Sequence, residues 1–188
     1  MRDGRLIYLV GPSGAGKDSV LARLRTLSRP ADRLLVAHRY ITRPADAGGE
    51  NHVALSEHEF LQRRDAGCFA LHWQSHGLHY GIGREIELWL AQGLSVVVNG
   101  SRAHAATLGD SCPHAEVVEV TAAEAIIRQR LLARGREDAA AVDARMARNR
   151  KLADCPAALR IMNEGSLDDA AQRLLAWARG ETRTTCLD

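Results

Sequence analysis

Apolar and polar residues follow two patterns along the chain, short unbroken apolar runs and longer segments with helical spacing. The runs predict buried strands at 6–10, 34–37, 68–73, 94–99, 115–120 and 159–163, and a turn at 75–81 predicts a short return strand. The helical spacing predicts helices at 16–28, 57–66, 83–92, 102–109, 122–134, 134–150 and 166–179. Because strands and helices alternate, we predict an α/β fold with a parallel five-stranded sheet flanked by helices. Ligands then bind at the carboxyl ends of the strands.

Single residues sharpen some of these boundaries. Ser56 is a predicted N-cap, with Glu59 three positions later as the other half of a capping box, and Gly67 ends that helix. The valine-rich run at 94–99 is typical of a buried parallel strand. The helical segment 134–150 is polar, so we expect it to lie over a site rather than in a core.

The segment between the first strand and the first helix has the spacing of a phosphate-binding loop. Gly11, four intervening residues, Gly16 and Lys17 satisfy the pattern. Glycines let backbone N–H groups curl around an anion, the helix N-terminus carries partial positive charge, and Lys17 adds a cation. We therefore predict that the nucleotide phosphates are bound by Gly11, Pro12, Ser13, Gly14, Ala15, Gly16, Lys17, Asp18 and Ser19.

One position departs from the general pattern of such loops. Asp18 follows the lysine, where the pattern has a Ser or Thr that ligates magnesium, and Ser19 is the nearest hydroxyl. We predict that Asp18 and Ser19 hold Mg²⁺.

Length and composition exclude several classes of protein. At 188 residues, with 46% hydrophobic and 26% charged residues, the chain is an ordinary globular domain, and a net charge of +2 does not suggest nucleic-acid or membrane binding. No apolar run approaches the ~20 residues that span a bilayer. The four cysteines, Cys68, Cys112, Cys155 and Cys186, form no CxxC pair, which predicts reduced thiols and a cytoplasmic location.

Arginine supplies nearly all of the positive charge. Lys17 and Lys151 are the only lysines among 25 basic residues. Biased codon usage explains much of this excess, so each arginine is judged by its position. Between residues 128 and 149, we predict a mobile lid whose arginines neutralise the charge that develops during phosphoryl transfer. Its members are Arg130, Arg134, Arg136 and Arg145.

A solvated helix is the alternative interpretation of the arginine-rich segment. Its charges would then be paired with Glu137, Asp138 and Asp143 at the surface. The phosphate-binding loop favours the lid.

Several motifs together resemble the guanylate kinase superfamily of P-loop kinases. They are the phosphate loop, Thr42-Arg43-Pro44, Tyr80-Gly81, Arg134-Gly135 and Asn163, and the resemblance is nearly end to end. Three positions differ from the GMP kinases of that superfamily, namely His52, His72 and Asn99. A neutral histidine offers one acceptor where a carboxylate accepts both N–H donors of guanine, so GMP is a poor fit.

The departures match a narrower group. Segments 11–19, 39–44, 49–52 and 72–82 closely resemble the ribose 1,5-bisphosphate phosphokinase family of phosphonate catabolism. The resemblance implies Mg²⁺-dependent phosphoryl transfer from ATP to ribose 1,5-bisphosphate, giving 5-phosphoribosyl 1-diphosphate and ADP. It also implies one P-loop kinase domain over 1–188, with a core at 1–37, 86–127 and 150–188, an acceptor-binding lobe at 38–85 and a lid at 128–149.

The resemblance, together with the chemistry of a sugar that carries two phosphates, suggests roles for individual residues. Asn163 joins the nucleotide site. The phosphorylated sugar is expected to contact Arg39, Thr42, Arg43, Asn51, His52, His72, His76, His79, Tyr80, Arg84 and Asn99.

Other functions stay open at this stage. A nucleoside monophosphate kinase and a catalytically silent binding module both share the fold, although a module need not keep Lys17. His72, His76, His79 and Cys68 also allow a metal site or ordinary polar lining. A monomer and a homodimer are both compatible with the sequence.

Overall fold

The computed structural model describes residues 4–133, 135, 138–152 and 156–181. Its strands are β1 (Arg5–Val10), β2 (Leu34–Val36), β3 (Arg39–Ile41), β4 (Val53–Ala54), β5 (Phe69–Ser75), β6 (Leu78–Gly83), β7 (Ser95–Asn99), β8 (Glu116–Thr121) and β9 (Leu159–Met162). Its helices are α1 (Lys17–Leu27), α2 (Glu57–Asp65), α3 (Glu85–Ala91), α4 (Arg102–Ala105), α5 (Leu108–Ser111), α6 (Glu124–Ala133), α7 (Ala139–Lys151) and α8 (Leu167–Arg179).

Five strands form the central sheet in the order β2-β7-β1-β8-β9. Every neighbouring pair is parallel, which confirms the predicted parallel sheet. Parallel strands end at a common edge, so the carboxyl ends of β1, β7 and β8 lie side by side.

Both faces of this sheet are buried. Side chains alternate along β1, so Ile7 and Leu9 pack in the core under α1 and α8, whereas Tyr8 packs in the core on the other face. Two helices supply much of the first core through Leu24 and Leu174, both fully buried. The sheet is thereby a rigid support for the loops at its carboxyl edge.

A second sheet forms a lobe beside the first, in the order β4-β3-β6-β5. It is mixed, because β3 pairs with β4 in parallel and with β6 antiparallel, while β5 and β6 form the predicted hairpin. The sequence interpretation missed β3 and β4. Strands of three and two residues are too short to display a period of two.

The predicted helix at 102–109 was wrong in extent. It is divided into α4 and α5, and the hydroxyl and the N–H of Thr107 both donate to the carbonyl oxygen of His104. Local side-chain bonding of this kind competes with helical hydrogen bonds and ends the first helix.

The predicted N-cap of α2 is confirmed. Oγ of Ser56 accepts a 3.2 Å hydrogen bond from the backbone N–H of Glu59. The carboxylate of Glu59 bonds Arg63 one turn later. Among the residues that the structure describes, no helix is long and apolar enough to cross a membrane.

Candidate active site

The loop between β1 and α1 has the backbone of an anion cradle. Gly11, Gly14 and Gly16 have φ values of 150°, 91° and 91°, in the region that favours glycine. A Cβ atom on Gly11 would lie 2.0 Å from the carbonyl oxygen of Val120. Gly16 is the N-cap of α1 and makes no side-chain cap bond, so the first N–H groups of the helix are left for a ligand.

Lys17 folds back across this loop. Its Nζ donates a 2.9 Å hydrogen bond to the carbonyl oxygen of Gly11. Burial lowers the pKa of Lys17 from 10.5 to about 8, the charge of Asp18 opposes the shift, and Arg39 and Arg102 add to it. The buried ammonium group therefore loses hydration that an anionic ligand would replace with charge–charge attraction.

The first turn of α1 gives Asp18 and Ser19 different surroundings. Oδ1 of Asp18 accepts a 2.9 Å hydrogen bond from Asn99 at the end of β7. Its Oδ2 lies 4.0 Å from the position that a Cβ on Gly49 would take, toward the lobe. Ser19 instead lines a cleft beside Asn163. The two predicted magnesium ligands thus face different sides, and the Asp18 carboxylate offers the oxygens that Mg²⁺ prefers.

The cleft beside the loop has a volume of about 400 Å³, and Gly14, Ser19, Arg130 and Asn163 are in its walls. Nδ2 of the buried Asn163 donates to the carbonyl oxygen of Ala15 at 2.8 Å. Arg130 donates to the carbonyl oxygen of Asn163 at 2.8 Å. Asn163 bonds the phosphate loop directly, and Arg130 bonds Asn163, so both predicted residues stabilise the loop on the side of this cleft.

Helix α7 reaches the loop through two side chains. Nη1 of Arg145 donates a 2.6 Å hydrogen bond to Oγ of Ser13. The amide of Asn149 accepts from the N–H of Ser13 and donates to its carbonyl oxygen, each at 3.3 Å. Arg102 donates to Oδ1 of Asn149 at 2.8 Å. The polar helix therefore lies over the phosphate loop, as expected.

The opposite side of α7 carries ion pairs with α6. Arg128 pairs with Asp143 at 3.1 Å and Arg150 pairs with Glu124 at 2.8 Å, all four at the surface. The ion pairs on this side of α7 fit the solvated-helix interpretation. Arg145 is directed toward the phosphate loop instead, and the lid stays a prediction. The predicted lid residues Arg134 and Arg136 lie outside the described residues.

A cluster of polar side chains joins the end of β7 to the lobe. Nε of Arg39 donates to Oε2 of Glu50 at 2.9 Å, and Nη2 of Arg39 bonds the other oxygen of that carboxylate. Asn99 donates to Oε2 of Glu50 at 3.2 Å as well as to Asp18. The Arg39 guanidinium also lies 4.9 Å from the ring centre of Tyr80. Three predicted acceptor residues, Arg39, Tyr80 and Asn99, therefore meet beside the phosphate loop.

Arg43 and His52 adjoin this cluster. The ring nitrogens of the buried His52 lie 3.1 Å from the carbonyl oxygens of Glu50 and Arg43, so His52 supports the loop that carries them. Nη2 of Arg43 lies 4.0 Å from the Glu50 carboxylate. Nε of Arg43 is buried with no hydrogen-bond partner among the described residues. Burial raises the pKa of Tyr80, which keeps its hydroxyl protonated.

The alternation of side chains separates two predicted histidines from the cluster. Trp73 pairs with Tyr80 across β5 and β6, so the neighbouring His72 points to the other face of the sheet. His79 shares that face and stacks on Phe60 of α2, with ring centres 5.3 Å apart. His72 and His79 therefore lie on the face of the lobe sheet opposite Arg39, because successive residues of a strand point to opposite faces.

Two more predicted acceptor residues form bonds within the lobe. Oγ1 of Thr42 accepts a 2.9 Å hydrogen bond from the backbone N–H of His79. Nδ2 of Asn51 lies 3.1 Å from Nε2 of His38 at the surface. Thr42 and Asn51 therefore stabilise the lobe and do not belong to the cluster around Arg39.

The remaining two predicted acceptor residues, His76 and Arg84, lie at the periphery of the lobe. His76 occupies the turn between β5 and β6 with a φ of 52°. Arg84 precedes α3 and pairs with Glu87 in solvent. Within the described residues, no three His, Cys, Asp or Glu side chains are grouped to hold a metal, so the metal-site alternative for the histidines gains no support.

Three residues of this site were missed from the sequence. Glu50 belongs to the segment 49–52 used for the resemblance, but no role was given to it. Asn149 and Arg102 lie in helices and look like ordinary surface residues. Only Glu50 carried a sequence signal, as a carboxylate within a motif that otherwise binds anions.

No protein-family model matches the chain. Curated relatives do. "Ribose 1,5-bisphosphate phosphokinase PhnN" of Desulfomicrobium baculatum is 51% identical over 171 residues, covering 90% of this chain and 91% of the relative. The protein of that name from Chromobacterium violaceum is 47% identical over 182 residues and covers 97% of each chain.

The fold has a known counterpart among solved structures. Guanylate kinase from Anaplasma phagocytophilum superposes with a TM-score of 0.71 at 20% identity, covering 98% of this chain and 89% of that one. This likeness confirms the P-loop kinase fold. Together with the identity to the curated relatives over nearly the whole chain, it leads to one conclusion: the chain belongs to the ribose 1,5-bisphosphate phosphokinase family.

Proposed function

We propose that the protein transfers the γ-phosphate of ATP to the 1-phosphate of ribose 1,5-bisphosphate. The products are 5-phosphoribosyl 1-diphosphate and ADP. The observation that carries the proposal is the meeting of two cationic groups at one edge. Lys17 and the loop N–H groups form one, and Arg39 and Arg43 form the other. Asn99 joins them, because it bonds both Asp18 next to Lys17 and the Glu50 that pairs with Arg39.

The transfer needs positioning more than proton chemistry. An oxygen of the 1-phosphate, ionised at neutral pH, attacks the γ-phosphorus while the bond from that phosphorus to the bridging β,γ-oxygen breaks. ADP leaves with the electron pair. Since the nucleophile is already an anion, no general base is required, and aligned cations lower the repulsion between the two phosphates.

The residues divide between donor and acceptor. The loop, Lys17 and Arg145 bind the ATP phosphates, and the cleft of Arg130 and Asn163 receives the rest of the nucleotide. Asp18 would hold Mg²⁺, which supplies charge neutralisation between the phosphates when it is bound. Arg39 and Arg43 bind the acceptor phosphate. We also propose a cytoplasmic location, because four dispersed cysteines without a CxxC pair are typical of reduced thiols.

The test is phosphate transfer measured by ³¹P NMR with ATP, Mg²⁺ and either ribose 1,5-bisphosphate or GMP. We expect diphosphate formation on the sugar only. Lys17→Ala should lower kcat/KM by about 10²–10³-fold, because it removes a cation that stabilises transition-state charge. Lys151→Ala, which changes the other lysine of the chain, should alter kcat/KM less than about twofold.

Two results would contradict the proposal. Transfer to GMP alone would make the protein a nucleoside monophosphate kinase. Nucleotide binding without transfer to either acceptor would leave a binding module.

A further inference from the structure

Glu50 lies in the loop before β4, and its side chain is 10% exposed although it is ionisable. Both of its oxygens are bonded by Arg39, one of them at 2.9 Å, and Oε2 also accepts from Asn99 at 3.2 Å. Arg43 lies 4.0 Å from Oε1. A buried carboxylate with this many donors is held firmly, and so are its partners.

The bonds from Glu50 fix the orientation of the Arg39 guanidinium. Carboxylate and guanidinium meet as two parallel forks, which defines the plane of the arginine and uses only two of its five N–H groups. The ring of Tyr80 supports the same plane from 4.9 Å. The remaining N–H groups of Arg39 are thereby presented in a fixed direction for an anion.

Asn99 connects this arrangement to the phosphate loop. Both hydrogens of its amide are used, one by Asp18 on α1 and one by Glu50 from the lobe. Asn99 is 2% exposed, and its Oδ1 has no hydrogen-bond partner among the described residues. Glu50 is therefore a bond between the lobe and the central sheet as well as a support for Arg39.

The negative charge of Glu50 weakens anion binding, so its presence in the cluster calls for an offsetting benefit. The cluster gathers Lys17, Arg39 and Arg43, and a carboxylate among them weakens the attraction for a phosphate. Glu50 also helps to keep Lys17 charged, in the same direction as Asp18. A fixed guanidinium loses less side-chain entropy on binding than a free one, which offsets the lost attraction.

We propose that Glu50 is a positioning residue that orients Arg39 toward the acceptor phosphate and bonds the lobe to the end of β7. This inference rests on the proposed function, because it takes the ligand of Arg39 to be the phosphate that accepts the transfer. Glu50 itself touches neither substrate.

The test compares Glu50→Gln with Glu59→Gln, a carboxylate of the same lobe that pairs with Arg63 at the surface. Glu50→Gln should raise KM for ribose 1,5-bisphosphate by about tenfold or more and lower kcat/KM for it by about 10–10²-fold, while KM for ATP changes less than about twofold. Glu59→Gln should change none of these constants more than about twofold. Thermal unfolding of each variant verifies that it is folded.

A second pair of variants separates positioning from simple loss of structure. In Arg39→Ala, the added change Glu50→Gln should raise KM for the sugar no further, because the side chain that Glu50 orients is already gone. If Glu50→Gln does not fold, Glu50→Asp is measured, since its shorter side chain cannot keep both bonds to Arg39 and should also raise this KM.

Two outcomes would overturn the inference. Unchanged kinetics in Glu50→Gln would make the pair with Arg39 incidental. Tighter binding of the sugar would mean that Glu50 only blocks the arginines. Failure of the proposed function is a separate result, because it appears as no transfer by the unaltered protein.

Discussion

At the scale of the residue, Lys17 combines burial with a positive charge. Its ammonium group donates a hydrogen bond to the carbonyl oxygen of Gly11, and its pKa falls to about 8 because burial disfavours the charged form. A nucleotide phosphate favours the charged form and raises this pKa again. Nucleotide binding near pH 8.5 must therefore take up a proton.

The sign of the pH dependence follows. Below pH 8 the free protein already holds the proton, and above pH 8 it must acquire one, so nucleotide affinity should fall as pH rises from 7 to 9. Titration calorimetry at pH 8.5 in two buffers of different ionisation enthalpy measures the uptake. Lys17→Arg, which stays charged, should show none, and zero uptake by the unaltered protein would contradict the assignment.

Residue identity alone was a weaker guide in the lobe. The histidines suggested a polar sugar site, yet His72 points away from Tyr80 and His52 supports a loop. Whether a strand residue faces the site depends on register, and register depends on partners that are distant in sequence.

At the scale of the element, the strand, loop and helix at 5–27 act as one unit. The glycines are required by backbone geometry, and Gly16 shows this most sharply. Its φ is 91°, and a Cβ there would lie 2.5 Å from Nδ2 of Asn163. Because Gly16 has no side chain, the chain can turn into α1 and can pack against Asn163, the residue that follows β9.

We expect Gly16→Ala to abolish nucleotide binding and to lower the free energy of unfolding by about 1–3 kcal/mol. The matched control is Gly109→Ala, where a Cβ meets no atom within 4 Å. Chemical denaturation and nucleotide titration measure both effects. Normal nucleotide affinity in Gly16→Ala would show that the loop does not bind phosphate in this conformation.

Helix α7 has different sides with different tasks. Arg145 and Asn149 bond Ser13 of the loop, whereas Arg128 and Arg150 join α6 and α7 at the surface. Composition predicted a polar helix over a site. It did not indicate which arginine would turn inward, since that depends on how the helix packs through Val142 and Met146.

At the scale of the whole molecule, Arg5 joins several elements at the end of the central sheet that is opposite the site. Its guanidinium bonds Glu116 at 2.9 and 2.5 Å and donates to the carbonyl oxygens of Trp177 and Ala178 at the end of α8. One side chain thus joins β1, β8 and the last helix. This arrangement is structural and lies far from the phosphate loop along the sheet.

Arg5→Met should lower the free energy of unfolding by about 2–4 kcal/mol, because a mostly buried carboxylate and two carbonyl groups lose their donor. KM for both substrates should stay within about twofold. Arg23→Met, which removes an exposed pair with Asp168, should cost much less stability. Equal losses in the two variants, measured by denaturation, would refute the role of Arg5.

From the amino-acid sequence we could predict the parallel central sheet, the motif of the phosphate loop and the family. These depend on local order: apolar runs mark strands, glycine spacing marks the loop, and both are contiguous in the chain. Three features became visible only in the folded molecule: Glu50 bonds Arg39, Asn149 bonds Ser13, and His72 faces away from Arg39. Such contacts join residues from separate elements, and the packing of those elements, rather than any local pattern, brings them within bonding distance.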